Sequence, residues 1–376
     1  MTVRMKTKIY KQFLKHIIGR QQIGPFEMLF LRTYVWFRKF DAQGFESVFL
    51  KPILHNGRPT QSVISVMRQL NKLSPSRLDA LLTPLISIYT KKYKNSRLMS
   101  CFVDITYECN LSCAHCVYRD KLNLNIPSMS KTEFKSIVEK LDSNIRVFFL
   151  LGGEPFLNRE VISTVSEFPD KIFVIFTNGT VLNQSDFDWL ESVSNVVLLF
   201  SVDGDEEQHI KHKSSGNYET LLCNIQKARS LGIVSGVATV LHDDIIENTS
   251  TKFAHFTKTL SDYDVNFWLL LFEQTKASSN TYIQKYNMFS KNKLKAYDIP
   301  ILNLPYDELL GNYLVCPEGK AFFHIRGDGS YAGCPYATSS AGNIYRDSIE
   351  TIKQHLNSNE NFCPYRKKER FVNVQK

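Results

Sequence analysis

The sequence predicts an α/β fold: a parallel sheet whose strands are joined by helical crossovers and covered on both faces. Three observations predict it. Six short apolar segments between residues 101 and 272 alternate strictly with amphipathic ones, the pattern of strands joined by helical crossovers. Those segments are apolar at nearly every position, as strands covered on both faces are. The composition, 43% hydrophobic and 22% charged over 376 residues, is ordinary for a globular protein and excludes wholesale disorder. A barrel and a doubly wound sheet both satisfy the pattern, and in either the chemistry gathers at the C-terminal ends of the strands.

In chain order, residues 1–97 read as a mostly helical N-terminal region. Segments 8–18, 60–73 and 74–89 carry apolar residues at three- and four-residue spacing. Ser74 and Ser76 bracket Pro75, with Asp79 in the expected first turn. Residues 98–272 form the α/β domain. Its strands are expected at 101–107, 146–151, 171–176, 195–202, 232–240 and 265–272, and its helices at 130–142, 158–168, 185–193, 217–231 and 246–260. Residues 273–315, with Tyr282, Tyr286, Tyr297, Tyr306 and Tyr313, read as a connector or lid. Residues 316–376 read as a small appended module: two strands around the turn Gly327-Asp328-Gly329, a helix near 346–356, then Cys363 and a basic tail.

Charge is unevenly spread. Residues 1–97 hold 18 Lys and Arg against four Asp and Glu, whereas the remainder holds 28 against 33. The net +9 therefore belongs to the N-terminal region, and it points to an anionic partner there or to contact with the acidic remainder. No apolar run reaches the ~18 residues of a membrane span. The first twenty residues, with a Lys or Arg every few positions, are not a secretory signal, so a cytoplasmic location is expected. In that reducing setting, eight cysteines point to metal or redox chemistry and not to disulfides.

Cys109, Cys113 and Cys116 follow the first strand and lie within eight residues. Three thiolates so close can close on one face of a metal centre. Zinc sites and four-thiolate clusters normally recruit four ligands. A [4Fe–4S] cluster held by these three would keep one iron open to a small molecule. The alternative is a zinc knuckle completed by His115, but His115 abuts Cys116 and cannot easily bend back to the same ion.

The Cys-x3-Cys-x2-Cys loop, together with Gly152-Gly153-Glu154-Pro155 at the end of the second strand, resembles the radical S-adenosylmethionine (SAM) superfamily. The resemblance implies a partial (β/α)6 TIM-like barrel, with a SAM-binding [4Fe–4S] cluster on Cys109, Cys113 and Cys116. It also implies contacts to SAM from Gly152, Gly153 and Glu154, and a place for His115 near the adenine. By the same resemblance Asn178, in Thr177-Asn178-Gly179-Thr180, and Ser201 and Asp203, in Ser201-Val202-Asp203-Gly204, form a polar rim meeting SAM or substrate. The alternative for these is turn chemistry at strand ends. Lys213 stands nearest the position where relatives carry an Arg close to the SAM carboxylate, with His209 and His212 beside it. The implied chemistry is one-electron cleavage of SAM to methionine and a 5′-deoxyadenosyl radical that abstracts a substrate hydrogen. The protein must orient the cofactor and exclude water. A flavodoxin- or ferredoxin-type reductant is the implied electron source. The sequence names no acid, base or radical quencher.

Cys316 and Cys334, with the hairpin between them, and Gly342-Asn343-Ile344 before a helix resemble the SPASM and twitch extensions of that superfamily. The resemblance implies one auxiliary [4Fe–4S] cluster on Cys316, Cys334 and Cys363. Arg366 stands where a further cysteine would complete a Cys-x2-Cys pair, and a zinc site or a module without metal is the alternative. Cys101 and Cys223 read as buried small apolar residues. Such relatives mostly modify peptides by crosslinking, epimerisation or oxidation. A peptide or protein substrate is therefore expected, with residues 1–97 as the place where an acidic one would bind. Two other readings are weighed. A dehydrogenase of a small alcohol or aminoglycoside-type sugar would spare turnover when residues 1–97 are deleted. A non-enzymatic zinc module binding nucleic acid would explain the basic region but not Gly152–Pro155 or the strand alternation, so nucleic acid is not the expected partner.

Overall fold

The computed structural model describes residues 54–55, 58–59, 73–74, 77, 81, 100–122, 126–142, 145–213, 217–247, 252–273, 281–282, 285, 289, 301–303, 322–335, 337 and 339–358, and structural statements below concern these. The helical reading of residues 1–97 lies mostly outside them. Leu54–His55 and Arg58–Pro59 pair as a short antiparallel ladder.

The main sheet begins with β1 (Ser100–Thr106), β2 (Val147–Gly152), β3 (Ile172–Thr177), β4 (Val196–Ser201), β5 (Ser235–Leu241) and β6 (Trp268–Phe272). These six match the six expected strands to within a few residues. The strands are parallel and hydrogen-bonded in sequence order, and β7 (Ile301–Asn303) adds a seventh parallel strand beside β6. A doubly wound sheet reverses its strand order part-way; this one does not. Right-handed crossovers between sequential neighbours put every helix on one face, so the sheet curls as a partial barrel.

The helices are α1 (Lys131–Lys140), α2 (Arg159–Thr164), α3 (Gln184–Ser192), α4 (Glu206–Lys213), α5 (Tyr218–Ser230), α6 (Asp243–Glu247) and α7 (Lys252–Asp262). Their starts are written locally: Ser130 and Glu133 form a capping box on α1, and Asn183 and Asp186 one on α3. The segment expected as one helix over 246–260 is α6 and α7 instead. The strand expected from 232 starts at Ser235, because Gly232, at φ +67°, takes the left-handed turn that ends α5.

Alternate strand residues divide the two faces. Outward, Phe148 and Phe173 stack at 5.5 Å and bury against α1 through Phe134. Inward, Phe102 and Phe149 stack at 4.5 Å, with Phe176 next in the row. At the N-terminal ends of the strands, Leu73 and Leu81 pack on Ile172, Val197 and Val234, while Arg77 donates to the Leu190 and Glu191 carbonyls at the end of α3. Part of the N-terminal region thus seals the barrel floor. Deleting residues 1–97 removes that seal, so the deletion tests barrel stability as well as substrate recognition.

The expected C-terminal hairpin forms, as β8 (Phe322–Ile325) and β9 (Ser330–Ala332), followed by β10 (Gly342–Asn343) and α8 (Ile349–Ser358). It continues the main sheet, since β8 pairs in parallel with β1. His324 Nε2 stands 2.8 Å from the fully buried Asp104, which also accepts from the Tyr107 and Tyr118 hydroxyls. Of the connector expected over 273–315, Tyr282 and Phe289 belong to the buried core and Ile301–Asn303 is strand; the other tyrosines lie outside the described residues. No helix among the described residues is long and apolar enough to cross a membrane.

Candidate active site

The cysteine loop leaves β1 at Thr106 and lies directly on the end of β2. Gly153 N donates to Thr106 O and Glu154 N to Glu108 O, both at 2.8 Å. A Cβ on Gly152 would meet Thr106 O at 2.0 Å, and one on Gly153 would meet Glu108 O at 2.0 Å. Gly152 also sits at φ +138°, where side chains are strained. The bare backbone expected to approach a ligand here is therefore already the bed of the cysteine loop. Within the loop, Leu111 N donates to Cys109 Sγ and Cys116 N to the Cys113 carbonyl.

All three thiols are half-buried, and burial raises them, Cys109 to about 11, so only a bound metal would make them thiolates. Three thiols in one loop supply three of a [4Fe–4S] cluster's four iron ligands, whereas a structural zinc site takes four protein ligands.

Glu154 is buried beneath this loop. Its carboxylate accepts from Phe156 N at 3.1 Å, Thr177 Oγ1 at 2.7 Å and Asn178 N at 2.7 Å, which joins the ends of β2 and β3. Asn178 Nδ2 reaches the loop at Asn110 Oδ1, 2.9 Å, and Asn110 Nδ2 returns to Thr180 Oγ1 at 2.9 Å. Burial pushes Glu154 up from 4.5 to about 7, against its three donors. Between those values the folded chain holds a proton the unfolded chain has lost, so this contribution to stability falls as pH rises through that window. Glu154→Gln should remove that slope and cost about 1–3 kcal/mol by turning an amide toward backbone donors. Urea unfolding of both proteins across the same pH range measures it.

The opposite wall comes from β4 and α4. Asp203 is fully buried; its Oδ1 accepts from Val240 N at 2.9 Å, and its Oδ2 stands 3.3 Å from both Lys213 Nζ and His115 Nε2. Burial alone would raise its carboxyl, but the Lys213 ammonium and the imidazoles hold it well below the usual range. Burial raises Cys113 and Cys116, and the nearby Lys213 ammonium offsets part of that rise in both. Ala114 N donates to His212 O at 3.3 Å, fastening the cysteine loop to α4. Ser201 sits half-buried at the end of β4, paired with Ala238.

The sequence profile of the Radical SAM superfamily matches residues 103–251, the span that contains every side chain just described. The chain carries a radical SAM domain. Over 278 residues it is 22% identical to the sporulation killing factor maturation protein SkfB of Bacillus subtilis, which covers 68% of this chain and 64% of that protein. It is 28% identical over 160 residues to a probable GTP 3′,8-cyclase of Methanococcus vannielii, covering 42% of this chain and 54% of that one. The chain thus spans about half to two thirds of the length of these relatives. In fold it resembles SuiB of Streptococcus suis bound to the precursor peptide SuiA, with TM-score 0.55 and 11% identity over 74% of this chain and 70% of that one. SuiB bound to S-adenosylmethionine gives TM-score 0.53 at 12% identity, over 70% and 66% of the two chains.

Within the radical SAM domain the structure gathers Cys109, Cys113, Cys116, His115, Gly152, Gly153, Glu154, Asn178, Asp203 and Lys213 at one end of the barrel. Of the expected auxiliary ligands, Cys334 is buried beside Ala332 and Ala337, while Cys316 and Cys363 lie outside the described residues. Cys101 is buried as expected; Cys223 is exposed on α5 and not a core residue. Helix α4 was not legible, because Ile210 is its one aliphatic side chain and no apolar stripe marks it. His242, Asp244 and Glu273 also join the site unannounced. Their position just past the β5 and β6 ends was the available signal.

Proposed function

We propose that this chain is a radical SAM enzyme that modifies a peptide or protein substrate. The observation that carries it is the cysteine loop docked on Gly152 and Gly153, with the Asp203–Lys213 pair facing two of its three thiols. Cys109, Cys113 and Cys116 would hold a [4Fe–4S] cluster, three soft ligands for iron. What the cluster and bound SAM supply is one-electron cleavage of a sulfonium and, from it, abstraction of a substrate hydrogen.

The chain's own part is placement and charge. Lys213, held protonated by Asp203 against the effect of burial, offers a fixed cation for a carboxylate. Glu154 and Asn178 fasten the loop from beneath, so the thiols keep one geometry with or without substrate. Gly152, Gly153 and Glu154 would support the SAM site through the cysteine loop, and the rim residue Ser201 would border it. Cys334 would join Cys316 and Cys363 around an auxiliary cluster.

A peptide or protein substrate is favoured because the likeness to a killing factor maturation protein runs over 278 residues, well beyond the 160 shared with the cyclase. A protein of the same fold holds a precursor peptide. Mass spectrometry of candidate precursor peptides, incubated anaerobically with the protein, SAM and a reductant, tests this. The expected result is a product lighter by two hydrogens and dependent on SAM. Turnover of a small alcohol or a nucleotide with every peptide unchanged would overturn the peptide assignment.

A further inference from the structure

Three imidazoles from three separate elements meet beside Asp203: His115 from the cysteine loop, His212 from α4 and His242 from the end of β5. One ring nitrogen of each lies within 4.8 Å of the others. The His212 and His242 rings stack at 3.6 Å, and His115 lies 4.7 Å from His242. Each ring also stands against a carboxylate. His115 Nε2 is 3.3 Å from Asp203 Oδ2, His212 Nε2 3.1 Å from Asp244 Oδ1, and His242 Nδ1 3.1 Å from Glu273 Oε2.

That arrangement fixes the chemistry of the inner nitrogens. A neutral imidazole that donates its N–H to a carboxylate carries a lone pair on its other nitrogen. His115 Nδ1 and His242 Nε2 are both buried with no hydrogen bond, and the Asp203 oxygen 3.9 Å from the latter is an acceptor too. Two imidazole nitrogens thus lie buried without a hydrogen-bond partner, while the nearby Lys213 ammonium is paired with Asp203. A cation is what such a set lacks. Carboxylate–imidazole pairs of this kind are the usual second layer around a histidine-bound metal. Nitrogens no more than 4.8 Å apart lie within about 2.8 Å of a common centre, so reaching a 2.1 Å bond takes roughly 0.7 Å of movement together with a turn of the stacked His212 and His242 rings that brings both planes onto the ion.

We propose that His115, His212 and His242 bind one divalent transition-metal ion of the zinc class, separate from any iron–sulfur cluster. The ion clips the cysteine loop to α4 and to the end of β5. Asp203, Asp244 and Glu273 offset its charge, together with that of Lys213 on Asp203 and Lys211 on Asp244. The inference rests on these side chains and not on the proposed substrate or on the cluster.

The test is cobalt titration of full-length protein in which Cys109, Cys113, Cys116, Cys316, Cys334 and Cys363 are replaced by alanine. This background cannot assemble the loop cluster, so success or failure here is independent of that assignment. The expected result is a visible ligand-field band saturating at one cobalt per chain, without thiolate-to-cobalt charge transfer, and a thermal midpoint raised by the metal. Adding His242→Ala or His212→Ala should abolish both. Glu273→Gln keeps all three ligands and should weaken binding about 10- to 100-fold. No band, a band unchanged by His242→Ala, or a band with thiolate character would each overturn the proposal.

Discussion

With Cys109, Cys113 and Cys116 changed to alanine, the anaerobically reconstituted protein should lose about four iron atoms per chain and form no 5′-deoxyadenosine from SAM. The fall in activity should be complete, because no other thiols among the described residues share that loop and the cofactor performs the difficult step. Wild-type protein should carry about eight iron atoms, and about four after Cys316, Cys334 and Cys363 are replaced instead. Iron analysis and chromatographic detection of the nucleoside measure the two effects separately. Persistent 5′-deoxyadenosine in the first variant would refute the site. A wild-type content near four would remove the auxiliary cluster and leave the first one standing.

Gly153→Ala should come close to the triple cysteine variant in effect while leaving every thiol in place. Its Cβ would be built 2.0 Å from Glu108 O and 3.1 Å from the Cys109 Cβ, so backbone must move and the loop must lift from β2. Overpacking of this kind costs roughly 1–3 kcal/mol, which a large buried barrel can bear. The expected result is a folded protein, by far-ultraviolet circular dichroism, whose iron content falls by about four atoms. Full iron content in Gly153→Ala would mean that the glycine pair serves a ligand directly and not the loop. The two variants therefore separate ligation from placement.

Much of the fold was legible because its determinants are local. Six apolar runs became six neighbouring strands, and the helices expected at 130–142 and 185–193 formed as α1 and α3, each opened by a capping box. Helix α4 escaped because its exposed, charged residues carry no periodic apolar face, yet it delivers Lys213 and His212. The C-terminal hairpin was legible as a hairpin but not as an edge of the barrel. Its attachment depends on β8 aligning with β1 and on His324 reaching Asp104, a pairing between residues some 220 positions apart for which no local pattern exists.

The sequence by itself determined the strand–helix alternation, the three-thiol loop and the two glycines after β2, since each is written in consecutive residues. Only the tertiary structure decided what those glycines touch, that Leu73 and Leu81 seal the barrel floor, and that three histidines meet around a single point. The physical reason is that backbone preference and burial pattern act over a few residues. The partner of a polar side chain at a strand end is set by how separate loops pack once the sheet has curled.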